Sequence, residues 1–190
     1  MTNIQNLQDK IESGELIILD GAIGTELERL GAPMHKDVWC GHALDSHPEL
    51  VTQVHQSYID AGADVITANT YATGRQALKL GGLEDKMQPW NAYAMQLACQ
   101  AREASDRPVC VAGSVTTFMS TRGFSAEGLR PYLAEQAQIL TRRLLDRIVA
   151  LAHYSANRGW GCVDDIDVVF VADFPETRRR RVVGTACKHQ

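Results

Sequence analysis

The sequence predicts an α/β protein wound on a parallel sheet, and three observations predict it. Apolar runs of strand length alternate three times with longer segments of helical period. No two-residue hairpin joins one run directly to the next, which leaves helical crossovers and parallel strands. Each run also ends in polar residues at its carboxyl end, where parallel α/β folds gather their ligands.

Taken in order, residues 3–13 carry Ile4, Leu7 and Ile11 at helical spacing, and Gly14 closes that helix. Residues 16–19, Leu-Ile-Ile-Leu, read as a strand buried on both faces. Asp20 follows at its carboxyl end and is either a ligand-binding acid or the cap of the next helix. Gly21 and Gly24 make the turn, and a short helix over 25–30 stops at Gly31 and Pro33. Residues 34–45 have no clean period but hold His35, Asp37, Trp39, Cys40 and His42. A surface loop anchored by Trp39 is expected there rather than a metal site, because such spacing arises readily by chance.

Pro48 and Glu49 open a helix with Leu50, Val54, Tyr58 and Ala61 on one face and Gly62 as its stop. His55, beside that stripe, reads as a packed or surface histidine. Residues 63–68 form the second buried strand, which ends in Asn69, Thr70 and Tyr71. A connection with a short basic turn spans 74–82. A long helix follows over 84–104, with Trp90, Ala94, Leu97 and Ala101 inward, broken by Asp106-Arg107-Pro108. The third strand runs over 109–115 and ends in small and polar residues, among them Ser114, which is either a site group or a turn residue. Residues 116–123 read as a polar loop. Ser125 then caps a helix over 126–140 that lines up Leu129, Leu133, Gln136 and Leu140.

Composition narrows the function. The 190 residues suffice for one domain with a proper core, and 45% apolar with 22% charged residues is ordinary for a globular chain. A net charge of -4 argues against non-specific nucleic-acid binding. No stretch has the length and apolarity of a membrane span, and the polar N-terminus lacks a signal peptide's apolar core, so a cytoplasmic protein is expected. The five cysteines are odd in number and none has CxxC spacing, which predicts free thiols, with Cys99 and Cys110 in the core.

From Leu16 to about Leu140 the chain resembles the amino-terminal half of the homocysteine S-methyltransferase family. The residues that carry the likeness are 19–27 (Leu-Asp-Gly-Ala-Ile-Gly-Thr-Glu-Leu), Trp39, 47–51 (His-Pro-Glu-Leu-Val), 61–71 and 112–115 (Ala-Gly-Ser-Val). The resemblance implies a (β/α)8 barrel of TIM type, incomplete in this chain at about the first four to five β/α units, with residues 1–140 as its N-terminal half. It implies transfer of a methyl group from a small donor to the thiol of homocysteine, giving methionine. It also implies a zinc ion, held by cysteines, that turns that thiol into a thiolate. Carried over position by position, the substrate-binding residues are Asp20, Gly21, Thr25, Glu26, Asn69, Thr70 and Ser114. An acid such as Asp20 suits an ammonium, and the N–H groups of the 21–24 turn suit a carboxylate.

The likeness stops before the chain does. A full barrel takes roughly 250 residues. Residues 141–190 diverge and turn Arg-rich from about residue 141, a change of texture that points to truncation or a shifted reading frame. Residues 146–151 can pass for the fourth strand, yet no acid stands from Arg147 to Val163, where the family expects one. Residues 164–173 read as one more strand. Arg178 to Arg181 read as a solvated tail. Cys162 and Cys187 each stand alone, so no zinc ligand is identifiable in this chain. Two further readings follow. One is a catalytically inactive partial barrel, able to associate with its own copy over an open sheet edge. The other is an unrelated parallel α/β protein using Asp20 and Asn69 on another small metabolite.

Overall fold

The structure is a computed structural model that describes residues 3–116, 126–143, 148–154 and 166–172. The sheet is built from β1 (Val65–Thr67), β2 (Cys110–Thr116), β3 (Ile148–Tyr154) and β4 (Ile166–Ala172), and its spatial order follows chain order. β1 pairs with β2 in parallel, Val65 opposite Cys110 and Thr67 opposite Ala112, and β2 pairs with β3 in parallel, Ala112 opposite Ile148. The helices are α1 (Asn3–Ser13), α2 (Ile23–Arg29), α3 (Ala43–Ser46), α4 (Pro48–Asp60), α5 (Arg75–Gly81), α6 (Met87–Glu103) and α7 (Ala126–Arg143).

Side chains alternate across a strand, so β1 and β2 present two different faces. Ile66, Ala68, Val109, Val111 and Val115 belong to the main core, which includes Val51, Val54, Leu97 and Leu140 of the helices. α4 packs on α6 and α6 on α7, a row of neighbours on one side of the sheet. The approach of α7 is close: a Cβ on Gly113 would lie 2.8 Å from Leu140 Cδ1. On the other face, Val65, Cys110 and Ala112 pack with Ile17 and with Ile4 and Leu7 of α1. That face turns polar toward the carboxyl end of the strands, where Thr67 and Ser114 take the next register positions.

The fold departs from expectation in four places. The 16–19 run is not buried on both faces: Leu16 is 81% exposed, Ile18 46% and Leu19 40%. It touches the sheet through a single parallel bridge, Leu19 to Val65, with Ile18 O accepting the Asp64 and Val65 N–H groups. A run on a sheet edge has one neighbour, so its outer side stays open however apolar it is. Second, β4 runs antiparallel to β3, Ile148 opposite Ala172 and Tyr154 opposite Ile166. The connection over 155–165 is shorter than the dozen or more residues of a parallel crossover. Third, the 74–82 connection contains a helix, α5, closed by Gly82 at φ +67°. Fourth, the long helix begins at Met87, after a 3-10 turn at Glu84–Lys86.

Two anchors fix the edge segment and the end of α4. Asp64, at the head of β1, accepts from Lys10 Nζ at 2.8 Å and from the Ile18 N–H at 3.0 Å, tying α1 and residues 16–20 to the sheet. Arg107 donates to the carbonyls of Ile59 (3.0 Å) and Ala63 (2.9 Å), closing the end of α4. His55 lies wholly inside, with both ring nitrogens unpartnered, and burial pushes its pKa down to about 4, so the ring is neutral. Cys40, Cys99 and Cys110 form no disulfide, and Cys110 is a core residue while Cys99 is half-buried. Cys162, Cys187 and Arg178 to Arg181 lie outside the described residues.

Candidate functional site

The carboxyl end of the sheet carries two polar tips. At the first, the chain leaves the edge segment at Asp20. The carboxylate accepts the Thr67 N–H at 2.6 Å on Oδ2 and the Thr67 hydroxyl at 2.9 Å on Oδ1. Burial pushes the Asp20 pKa up to about 6, and the two bonds from Thr67 pull it part of the way back. Among the described residues no Lys or Arg pairs with it. Asp20 is therefore an oriented, half-buried acid whose charge has no cationic partner.

The turn after Asp20 is shaped by two aromatic rings. A Cβ on Gly21 would lie 2.7 Å from the Tyr58 hydroxyl, and one on Gly24 would lie 2.6 Å from the Trp39 ring. Both glycines have a packing reason, apart from any ligand. Tyr58 donates to Ala22 O at 3.4 Å, so α4 holds the turn from below. Thr25 is exposed and its hydroxyl turns back to Ala22 O at 3.3 Å. Glu26 takes both carboxylate oxygens to Arg29 Nε, at 3.1 and 2.9 Å, and the hydrogen bond from Arg29 holds its pKa below the usual range.

The second tip is neutral and closed. Where β1 ends, the Thr70 hydroxyl replaces the main-chain ladder: it donates to Ser114 O at 2.9 Å and accepts the Ser114 N–H at 2.8 Å. Asn69 faces the loop over 34–42, donating to Cys40 O at 3.0 Å and accepting from Cys40 Sγ at 3.2 Å. Behind Thr70 lies a buried amide network. Gln136 Nε2 donates to Thr70 O at 2.9 Å and to Asn91 Oδ1 at 3.0 Å. Asn91 Nδ2 donates to Thr73 O at 3.0 Å and Met87 O at 2.7 Å, while Thr73 Oγ1 donates to Asn91 Oδ1 at 2.9 Å.

Of the expected residues, the structure joins Thr70 to Ser114 directly. Asp20 is joined instead to Thr67, Asn69 to Cys40, and Thr25 and Glu26 to their own helix. Sequence reasoning missed Thr67, although a hydroxyl inside an apolar strand is a signal. It read Tyr58 only as a helix-face residue and Trp39 only as an anchor. The 34–45 stretch is not the surface loop expected, since Val38, Cys40, Ala43 and Leu44 are buried; within it Trp39, at φ +39°, a region L side chains rarely adopt, meets Tyr71 edge-on at 6.3 Å between ring centroids.

Zinc has no cradle among the described residues, where no group of three or more His, Cys, Asp or Glu could hold a metal. Cys40 is the cysteine nearest the tips in the bonding network, and burial pushes its thiol up to about 12, the reverse of what a thiolate ligand needs. His35 and His42 stack at 6.0 Å without a third ligand. Among the described residues no helix is long and apolar enough to cross a membrane.

Comparison with known proteins adds a lineage to this geometry. Residues 17–156 match the family described as homocysteine S-methyltransferase. Homocysteine S-methyltransferase 4 of Zea mays is 32% identical over 128 residues, covering 61% of this chain and 37% of the maize protein. Selenocysteine Se-methyltransferase of Brassica oleracea is 31% identical over 122 residues, covering 56% and 35%. The metallated form of the homocysteine methyltransferase MmuM from Escherichia coli superposes with a TM-score of 0.67 at 25% identity, over 80% of this chain and 57% of that enzyme. The chain thus spans little more than a third of those plant relatives and over half of the bacterial enzyme.

Proposed function

The chain belongs to the homocysteine S-methyltransferase family, and we propose that its strand tips bind the amino-acid end of homocysteine so that a small donor can methylate the thiol, giving methionine. The single observation that carries this reading is Asp20. A half-buried carboxylate, aimed by two bonds from Thr67 and paired with no cation among the described residues, is a ready partner for a substrate ammonium. The N–H groups of the 21–24 turn stand beside it for the substrate carboxylate. Gly21, Thr25, Glu26, Asn69, Thr70 and Ser114 complete the proposed pocket. Thr70 and Ser114 contribute a rigid wall, and Asn69 keeps the Trp39–Cys40 loop in place.

Sequential strand order with helices in one row supports the winding of a TIM barrel, with residues 1–140 as its N-terminal half and 141–190 as a divergent segment. The family's zinc would polarise the thiol, but the described residues do not fit that ion. The second reading is a partial barrel that binds without catalysis and pairs with its own copy, and the buried Cys40, its thiol pushed up to about 12, supports it. No nucleic-acid or membrane partner is proposed, and the proposed location is cytoplasmic.

The test is a calorimetric titration of homocysteine into the purified chain and its Asp20→Asn variant, with metal analysis and a methylation assay over several donors. Binding weakened at least tenfold in Asp20→Asn is expected from loss of a charge-assisted pair. Equal affinity in both proteins rejects the site. Binding without metal or methyl transfer selects the second reading.

A further inference from the structure

We propose that Gln136 is a positioning residue, a clamp from α7 that locks the Thr70–Ser114 junction and so sets the far wall of the pocket; this rests on the homocysteine-site reading above. Gln136 is fully buried and lies among Leu129 and Leu140, on a helix face that is otherwise apolar. An amide in such a place is costly unless its bonds do something an apolar side chain would not. One of its acceptor sites is left empty: Oε1 has no partner. What it does make is a forked donation, to Thr70 O and to Asn91 Oδ1.

The clamp acts where β1 has stopped pairing through its main chain. Past Thr67 the strand ladder continues only through Ala68 N–H to Ala112 O, at 2.8 Å. Beyond that point the tip of β1 is held to β2 by the Thr70 hydroxyl alone, which must point one way to donate to Ser114 O and accept its N–H. The orientation of that hydroxyl follows the Thr70 backbone, and the Thr70 carbonyl accepts from Gln136 Nε2 at 2.9 Å across the core and from the Thr73 hydroxyl at 3.0 Å within its own turn, so Gln136 is the bond that ties it to α7. Asn91 completes the fixture by receiving the second Gln136 proton and holding the Thr73 carbonyl, so the 70–73 turn is gripped at both ends. Three elements, α6, α7 and β2, thereby agree on one position for the tip.

Two variants separate a clamp from mere bulk stability. Gln136→Met keeps the shape and removes both donations along with the empty acceptor. Leu129→Ala removes buried bulk from the same helix but touches none of the bonds to Thr70. Native-state hydrogen exchange of the Ser114 amide is the readout, with Val111 as the reference on the same strand. The expected result is at least a tenfold loss of Ser114 protection in Gln136→Met with little change at Val111, and in Leu129→Ala a loss at Ser114 no larger than that at Val111. Unchanged Ser114 protection, or an equal loss in both variants, overturns the clamp. If Gln136→Met does not fold, the wild-type protein decides, since the Gln136 side-chain N–H protons must then exchange as slowly as core amides, and exchange at solvent rate overturns the proposal. Homocysteine titration of the same proteins is read separately. Affinity falling at least tenfold with the Ser114 protection ties the clamp to the pocket. Affinity unchanged while protection is lost cuts that tie, and absence of binding to the wild type rejects the pocket while the exchange data still judge the clamp.

Discussion

The two polar tips at the carboxyl end of the sheet solve opposite problems. At Thr70 every polar group has a partner within the protein: the hydroxyl is used twice by Ser114 and the carbonyl is taken by Gln136. At Asp20 the carboxylate is held by hydrogen bonds but left without a counter-charge, and its pKa stands raised to about 6. A saturated tip can give shape but has little left to offer a ligand. A tip that carries a charge at a cost to folding has something to gain from one. The comparison assigns scaffold to the second tip and binding to the first.

The largest expected effect falls on the saturated tip. Thr70→Val preserves shape and strands both the N–H and the carbonyl of Ser114 inside the protein. An unpaired buried group costs about 1–3 kcal/mol, so a loss of about 2–4 kcal/mol is expected in urea denaturation, with an unchanged slope. A loss under 1 kcal/mol would mean that water reaches the junction and that the two tips differ less than the structure implies.

The open tip is expected to behave in the reverse sense. Asp20 rises from 3.8 to about 6 on folding, so the folded state prefers the neutral acid. Its favourable contribution is complete below pH 3.8 and is lost as pH rises through about 6. At full burial the shift would correspond to about 3 kcal/mol. Asp20 is half-buried and screened, so Asp20→Asn should gain about 1 kcal/mol at pH 7 and lose that advantage near pH 4. His55 moves the other way: with its pKa lowered from 6.5 to about 4, it supplies stability above pH 6.5 that disappears toward pH 4. That term is common to both proteins and cancels in their difference. A variant that is more stable and binds homocysteine worse is the signature of a functional acid; one that is less stable at pH 7 makes Asp20 a structural cap after all.

The sequence was most legible where one element decides its own fate. The amphipathic helix over 48–60 and the strand at Cys110–Thr116 need only their periodicity and their stops. It was least legible where a neighbour decides. The 16–19 run is more apolar than the 110–116 run, yet β2 has a strand on both sides and is wholly buried, while the first run has one and leaves Leu16 in solvent. Periodicity carries no information about who stands alongside. The same holds at the site. Asp20 was visible as an acid after a strand, but its partner Thr67 is 47 residues away. Asn69 was visible as polar, but its bond to Cys40 depends on where a loop without period folds back. The antiparallel β4 was hidden because a strand's pattern does not record its direction.

The smallest effect bears on the rim of the open tip. Glu26 was expected to touch substrate, but in the structure it is spent on Arg29, three residues along its own helix, at the surface. Exposed pairs of this spacing contribute little to stability, so Glu26→Gln should leave the denaturation midpoint unchanged. The informative measurement is therefore binding. Partial burial raises the Tyr58 pKa, and the charges of Glu26 and Asp20 add to that rise, so the two acids share a neighbourhood. If the Glu26 charge helps attract a cationic amino group, Glu26→Gln weakens homocysteine binding by a few fold and the deficit fades as salt is added. If affinity is unchanged at low salt, the pair with Arg29 has neutralised Glu26 and the charge that matters at this tip is Asp20's alone.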